Sequence, residues 1–287
     1  MSKSINTEIC FIGGDERQKY AAVSLSEHMT VNTVGEVFKD TPNPNINIFD
    51  NTLKAIYNSK VIILPLPATA SESILPFSEL VKNVQDRIVL GGRFSPYFKG
   101  AAEAANIRFK DYYENESFTI KNAFLTAEGA LDLAMQASKN AIRYSKCAII
   151  GYGRIGKALG DMLKTLNAQV TVWARREEVL ALAEENGLKV SKISKNDDLR
   201  GLAMDTDVIF NTVPERIISN EVLLAIPVGT LLIELASQPG GFDPDIASQC
   251  ELHFIDGRGL PAKYAPIAAG KILAETIIQH LKQEDLL

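Results

Sequence analysis

Short, unbroken apolar runs alternate with amphipathic segments along almost the whole chain. Runs bounded by Gly or Pro read as strands buried on both faces: Glu8–Gly14 (EICFIGG), Lys60–Leu66 (KVIILPL) and Arg87–Gly92 (RIVLGG). Val31–Val34 reads as a short strand and Ile107–Tyr112 as a weaker one. Between them the pattern predicts helices from Asp15 to about His28 and over Thr52–Ser59, Pro76–Asn83 and Ser95–Ala105. Thr41–Asn47, with two prolines and three asparagines, reads as loop. Strands and helices in strict alternation imply a parallel sheet covered on both faces.

The second half repeats the alternation. An amphipathic segment, Thr126–Tyr144, is predicted as a linking helix. A strand over Cys147–Ile150 leads into a helix with Ile155, Leu159, Met162, Leu163 and Leu166 on one face. Val170–Trp173 is the next strand. A helix to about Asn186, a short strand at Lys189–Ser191 and a helix around Leu199–Met204 follow. Strands are expected at Asp207–Val213, Thr230–Ala236 and Glu251–Ile255. The last helix, about Ile267–Lys282, is apolar along Ile272, Leu273, Ile277 and Leu281 and is expected to pack back on the first domain or the linker.

The fold class read from this is α/β: two doubly wound parallel-sheet domains joined by long helices, with a cleft between them. Residues 1–122 read as a flavodoxin-like substrate or partner domain and 123–145 as the linker helix. Residues 146–264 form a Rossmann dinucleotide-binding domain, and 265–287 the returning helix.

Gly151-x-Gly153-x-x-Gly156 stands between a strand and a helix, the order that a dinucleotide requires. Gly151 permits the tight turn, Gly153 lets backbone approach a pyrophosphate, and Gly156 lets helix and strand pack closely. The helix start at Arg154 and Ile155 offers N–H groups to the anion. The second strand ends in Ala174-Arg175-Arg176, where an NAD site usually places a carboxylate for the ribose 2′-hydroxyl. Guanidinium groups there suit a 2′-phosphate, so the expected cofactor is NADP. Ligands of open α/β sheets sit beyond the carboxyl ends of strands. Asn211, Thr212, Val213, Pro214 and Ser237 follow the later strands and are expected to line the nicotinamide end.

Composition removes other classes. The chain has 287 residues, 46% hydrophobic and 23% charged, with a net charge of −5. Nothing in that balance favours a polyanion, so no nucleic acid is expected. No apolar stretch is long enough to span a bilayer and no signal-peptide pattern opens the chain. Cys10, Cys147 and Cys250 lack paired spacing and read as inert thiols of a reducing cytoplasm. The three histidines show no ligand spacing, so no metal site is expected.

Several further segments stand in a family's order. They are Gly13-Gly14-Asp15-x-Arg17-Gln18, Leu64-Pro65-Leu66-Pro67, Asn122-Ala123-x-x-Thr126-Ala127-Glu128-Gly129-Ala130, Glu234-Leu235-Ala236-Ser237-x-Pro239-Gly240-Gly241 and Gly259-Leu260-Pro261. With them the chain resembles the family of dipicolinate synthase A-subunits over nearly its whole length. One position departs: Ala268 stands where the family's late Thr-Ala-Gly would have threonine.

The resemblance implies NADP-dependent oxidation of a dihydropyridine-2,6-dicarboxylate in a spore-forming bacterium. It also implies a partner, the flavoprotein-like B-subunit of dipicolinate synthase, and a homo- or hetero-oligomeric assembly. Two substrate carboxylates call for guanidinium or ammonium groups. Arg17 and Arg93 are the candidates from the first domain, with Arg258 or Lys263 from the second. Asp15, Glu128 and His253 are candidate proton acceptors. Each also has a structural reading: Asp15 as a helix N-cap, Glu128 as a helix-start carboxylate and His253 as a structural strand residue. Two other readings stay open: a 2-hydroxy-acid, alanine or shikimate type of dehydrogenase, and a non-catalytic NADP-binding regulatory protein.

Overall fold

The structure, a computed structural model, describes residues 8–287 apart from 42, 195 and 204. The chain divides into two compact units, residues up to Asn122 together with Pro261–Leu287, and Ala123–Leu260. The first unit is built from β1 (Ile9–Ile12), α1 (Glu16–Ser26), β2 (Val31–Val34), β3 (Ile46–Ile48), α2 (Thr52–Tyr57), β4 (Val61–Ile63), α3 (Phe77–Asn83), β5 (Ile88–Gly91), α4 (Pro96–Ala104) and β6 (Arg108–Asp111). Helix α5 (Glu116–Ala137) follows. The second unit contains β7 (Lys146–Ile150), α6 (Arg154–Thr165), β8 (Gln169–Ala174), α7 (Glu177–Glu185), β9 (Lys189–Lys192), β10 (Val208–Asn211), α8 (Asn220–Ala225), β11 (Leu231–Glu234), α9 (Pro244–Gln249) and β12 (His253–Asp256). The chain ends in α10 (Leu260–Tyr264) and α11 (Pro266–Gln283).

Among the described residues each unit holds one parallel sheet of six strands. The orders are β3-β2-β1-β4-β5-β6 and β12-β11-β10-β7-β8-β9. Both are the doubly wound order in which the chain reverses direction beside its first strand, between β1 and β4 and between β7 and β10. Successive residues of β1 point to opposite faces. Ile9 and Phe11 join one core with Ile63 and Leu90, whereas Cys10 and Ile12 join another with Ile62 and Val89. Burial on both faces is why these strands read as unbroken apolar runs. The same division holds in the second unit, with Cys147 and Ile149 on one side of β7 and Ala148 and Ile150 on the other.

Three expectations change. The stretch expected to be loop ends in β3, which makes the first sheet six-stranded. Only Ile46 of that edge strand is buried, so it left almost no apolar signal. The helix expected over Thr126–Tyr144 is α5, which starts ten residues earlier and stops at Ala137. Beyond it the Asn140 N–H donates to Ser138 Oγ (3.0 Å) in a turn, and Ile142–Tyr144 forms a separate 3₁₀ turn. Phe118, on the first turns of α5, belongs to the first unit's core, and Ala127, Ala130 and Ala134 belong to the second's. The segment expected as helix at Leu199–Met204 is a 3₁₀ helix, Asn196–Ala203; Met204 lies outside the described residues.

Helix α11 completes the first unit. Leu273, Ala274, Ile277 and Leu281 are buried with Phe11, Ala21 and Leu25. At Gly270 a Cβ would lie 2.5 Å from Tyr20 Cβ and 2.8 Å from the Ala21 backbone nitrogen, so α1 and α11 touch backbone to backbone there. In an open helix, Gly→Ala would gain about 1 kcal/mol. Here the contact reverses the sign: Gly270→Ala should lose about 1–3 kcal/mol of unfolding free energy in urea titration, as overpacked sites do.

Candidate functional site

In the second unit β7 ends at Ile150 and the chain turns through Gly151 at φ +88°. Thr212, at the end of the neighbouring β10, donates both its N–H and its Oγ1 hydroxyl to the Ile150 carbonyl, each at 2.9 Å. This closes the switch point between β7 and β10. Helix α6 starts at once, with Gly153 as an N-cap that has no side-chain hydrogen bond. A Cβ at Gly153 would meet nothing within 4 Å. The space above the helix start is therefore open to a phosphate, as an anion site requires. A Cβ at Gly156 would lie 2.3 Å from the Gly151 carbonyl oxygen, so only glycine lets α6 pack this closely on the turn.

A groove of about 300 Å³ runs from this turn to the end of β8, lined by Gly151, Gly153, Trp173, Ala174, Arg175 and Val213 among others. Ala174 is buried and carries no charge. Both following arginines are exposed: Arg175 pairs with Glu215 at 2.8 Å and Arg176 with Glu178 at 3.2 Å. These residues fit a dinucleotide: an open helix start for a pyrophosphate, and a strand end with guanidinium groups in place of a carboxylate.

Asn211 is not where it was expected. It is fully buried; its amide donates to Glu234 Oε1 (2.7 Å) and to the Val213 carbonyl (3.0 Å), and its Oδ1 accepts from the Val213 N–H. It shapes the loop and presents nothing to a ligand. Its partner Glu234, at the end of β11, was not among the expected site residues. The Glu234 carboxylate also accepts the N–H groups of Ala236 (2.9 Å) and Gly241 (2.8 Å). Burial pushes its pKa up, against the opposing pull of these donors. Thus one carboxylate holds two loops, 211–218 and 235–241. Thr212 and Val213 face the turn and groove, Pro214 is exposed and Ser237 half-buried. The detectable signal was a lone charge closing an apolar strand (LLIE).

Arg258 forms a fork with Asp256 just past β12. Its backbone N–H donates to Asp256 Oδ1 (3.0 Å), as does Nε (2.7 Å). His253 opens β12 at the amino end of the sheet, opposite the end where the switch point lies, and is exposed. Glu128 is exposed in the interior of α5, twelve residues past its start, so it is neither a helix-start carboxylate nor part of the groove. Lys263 is exposed on α10 and belongs to the first unit rather than the second.

The first unit carries its own constellation at the β1–β4 switch point. Asp15 is the N-cap of α1, with a capping box completed by Gln18. Its carboxylate also takes Arg17 Nε (3.1 Å) and Nη2 (2.7 Å), and Nη2 donates to the Leu66 carbonyl (3.0 Å) beyond β4. Arg17 is only 6% exposed. Burial disfavours its charge, but the Asp15 hydrogen bond and charge outweigh that and raise its pKa. Tyr112 lies fully buried nearby, its hydroxyl donating to the Leu64 carbonyl, and burial pushes its pKa well up. Arg93, at φ +55° after β5, is exposed over the Tyr113 ring at 5.7 Å. Asp15 is thus committed to capping and to Arg17, and Arg93 sits two strands away from Arg17.

Burial pushes the thiols of Cys10 and Cys147 up to about 12, too high for a nucleophile near neutrality. No cluster of metal-ligating side chains occurs among the described residues, and no helix there is long and apolar enough to cross a membrane.

Comparison with known proteins adds the following. Residues 8–113 match the family of N-terminal domains of the dipicolinate synthase A-subunit, and residues 121–237 the NAD binding domain of D-isomer specific 2-hydroxyacid dehydrogenases. The chain is 31% identical over 291 residues to the dipicolinate synthase A-subunit of Bacillus subtilis (strain 168), covering 96% of each. The crystal structure of the dipicolinate synthase A-subunit from Bacillus halodurans superposes with a TM-score of 0.84 at 26% identity, over 96% of this chain and 98% of that one. A transhydrogenase from Sinorhizobium meliloti matches with a TM-score of 0.69 at 14% identity over 96% and 94%, a likeness of fold alone.

Replacing Glu234 by Ala should strand three buried donors, on Asn211, Ala236 and Gly241. The expected loss is about 3 kcal/mol or more in denaturant titration, since each orphaned group costs about 1–3 kcal/mol.

Proposed function

The chain belongs to the family of dipicolinate synthase A-subunits, and on that footing we propose that it oxidises dihydropyridine-2,6-dicarboxylate to pyridine-2,6-dicarboxylate with NADP⁺. The observation that carries this reading is the strand end Ala174-Arg175-Arg176 on a groove that leads to the uncapped start of α6. When bound, NADP⁺ supplies the hydride acceptor. The Gly151–Gly156 turn and the α6 start hold its pyrophosphate, and Arg175 with Arg176 hold the 2′-phosphate.

Arg17 holds one substrate carboxylate. Asp15 and the Leu66 carbonyl engage its Nε and Nη2, which fixes the guanidinium plane and leaves the Nη1 side for the anion. Arg93 supplies a second, exposed cation. The ring loses one hydride and one proton. Asp15 is already ion-paired, Glu128 lies mid-helix and His253 sits at the far end of its sheet, so the proton passes to water. Aromatisation favours the products. The chain works in the cytoplasm of a spore-forming cell, in an oligomer with the flavoprotein-like B-subunit of dipicolinate synthase.

Two measurements test this. The fluorescence of Trp173, the chain's single tryptophan and part of the groove, should report NADPH binding at least tenfold tighter than NADH; equal affinities would defeat the NADP assignment. Arg17→Lys keeps the charge but loses the fork. KM for the dihydropyridine should rise about tenfold or more, with unchanged circular dichroism. Unaltered KM would remove Arg17 from the substrate site.

A further inference from the structure

We propose that Glu215 sets the selectivity of the adenosine end by competing with the cofactor's 2′-phosphate for Arg175. The proposal rests on the NADP reading above and names a residue that tunes it. Arg175 follows β8 and Glu215 follows β10, yet their side chains meet at 2.8 Å. The groove is lined by residues on both sides of this pair: Ala174 and Arg176 beside Arg175, Val213 and Ile217 beside Glu215. The carboxylate therefore occupies the guanidinium that a 2′-phosphate would need.

Glu215 is held in place rather than loosely tethered. The Val213 N–H donates to Asn211 Oδ1 at one end of its loop. At the other end, the N–H groups of Ile217 and Ile218 both donate to the Gly241 carbonyl at 2.9 Å. Gly241 and Asn211 are in turn gripped by Glu234. The loop is thus anchored through a buried carboxylate, and Glu215 projects from it into solvent at the groove.

A 2′-phosphate must displace Glu215 from Arg175 and then tolerate a second anion close by. A cofactor with a free 2′-hydroxyl need do neither. The pair is exposed, with side chains 57% and 62% accessible, so the effect is modest, a factor of about two to five from the ion pair alone. Repulsion between carboxylate and phosphate adds to it.

The test uses adenosine 2′,5′-bisphosphate and 5′-AMP as probes on the full chain, followed by Trp173 fluorescence at low ionic strength. Glu215→Gln should bind the bisphosphate at least fivefold more tightly than the natural chain, with 5′-AMP changed by less than twofold. The gain should fall below twofold when Arg175 is already alanine. Unchanged bisphosphate affinity in Glu215→Gln overturns the proposal. So does a gain that persists without Arg175, since that would be long-range charge alone. If the natural chain binds both probes equally while Glu215→Gln gains selectivity, the NADP reading fails and the role of Glu215 stands.

Discussion

Parallel strands cannot be joined by tight turns, and the rest of this structure follows from that constraint. Each strand must be followed by a crossover that returns to the amino end of the sheet, and helices on both faces supply it. Where the winding reverses, neighbouring loops leave in opposite directions and the carboxyl ends of two adjacent strands stand uncovered. Both units gather polar contacts at that point: Arg17, in the first turn of α1 beyond β1, donates to the Leu66 carbonyl beyond β4, and Thr212 closes β10 onto the end of β7.

Both units carry the same short device at the carboxyl end of a strand, the first at its switch point and the second at its edge strand β12. Asp15 with Arg17, just past β1, and Asp256 with Arg258, at the end of β12, are Asp-x-Arg pairs. In each, one carboxylate oxygen accepts both the arginine's backbone N–H and its Nε. The pair folds a charged side chain back on the turn that carries it and fixes the orientation of the guanidinium. Burial separates their roles. Arg17 is enclosed and pointed at a switch point, whereas Arg258 is partly open to solvent and braces a turn.

Glu234 shows how one buried charge organises many backbone atoms. Its oxygens satisfy two loop N–H groups and an asparagine amide that would otherwise be stranded. The loops so held carry Val213 on the groove wall and Glu215 at its rim. The groove shape is thus set by a residue that touches no ligand space.

The sequence by itself determined the α/β class, most strands and the dinucleotide turn. Strands buried on both faces must be unbroken apolar runs, and a strand–glycine–helix order has few uses. It also marked Asp15 and Arg17, since a polar cluster directly after a buried strand lies at the ligand end of the sheet. It did not reveal β3, whose single buried side chain left no periodicity, or the true start of α5, where polar residues interrupt the apolar stripe. Only tertiary structure decided that Asn211 turns inward to Glu234, that His253 lies at the amino end of its sheet, and that Arg175 meets Glu215. These facts depend on register and on contacts between residues 23 to 40 positions apart, which no local pattern encodes.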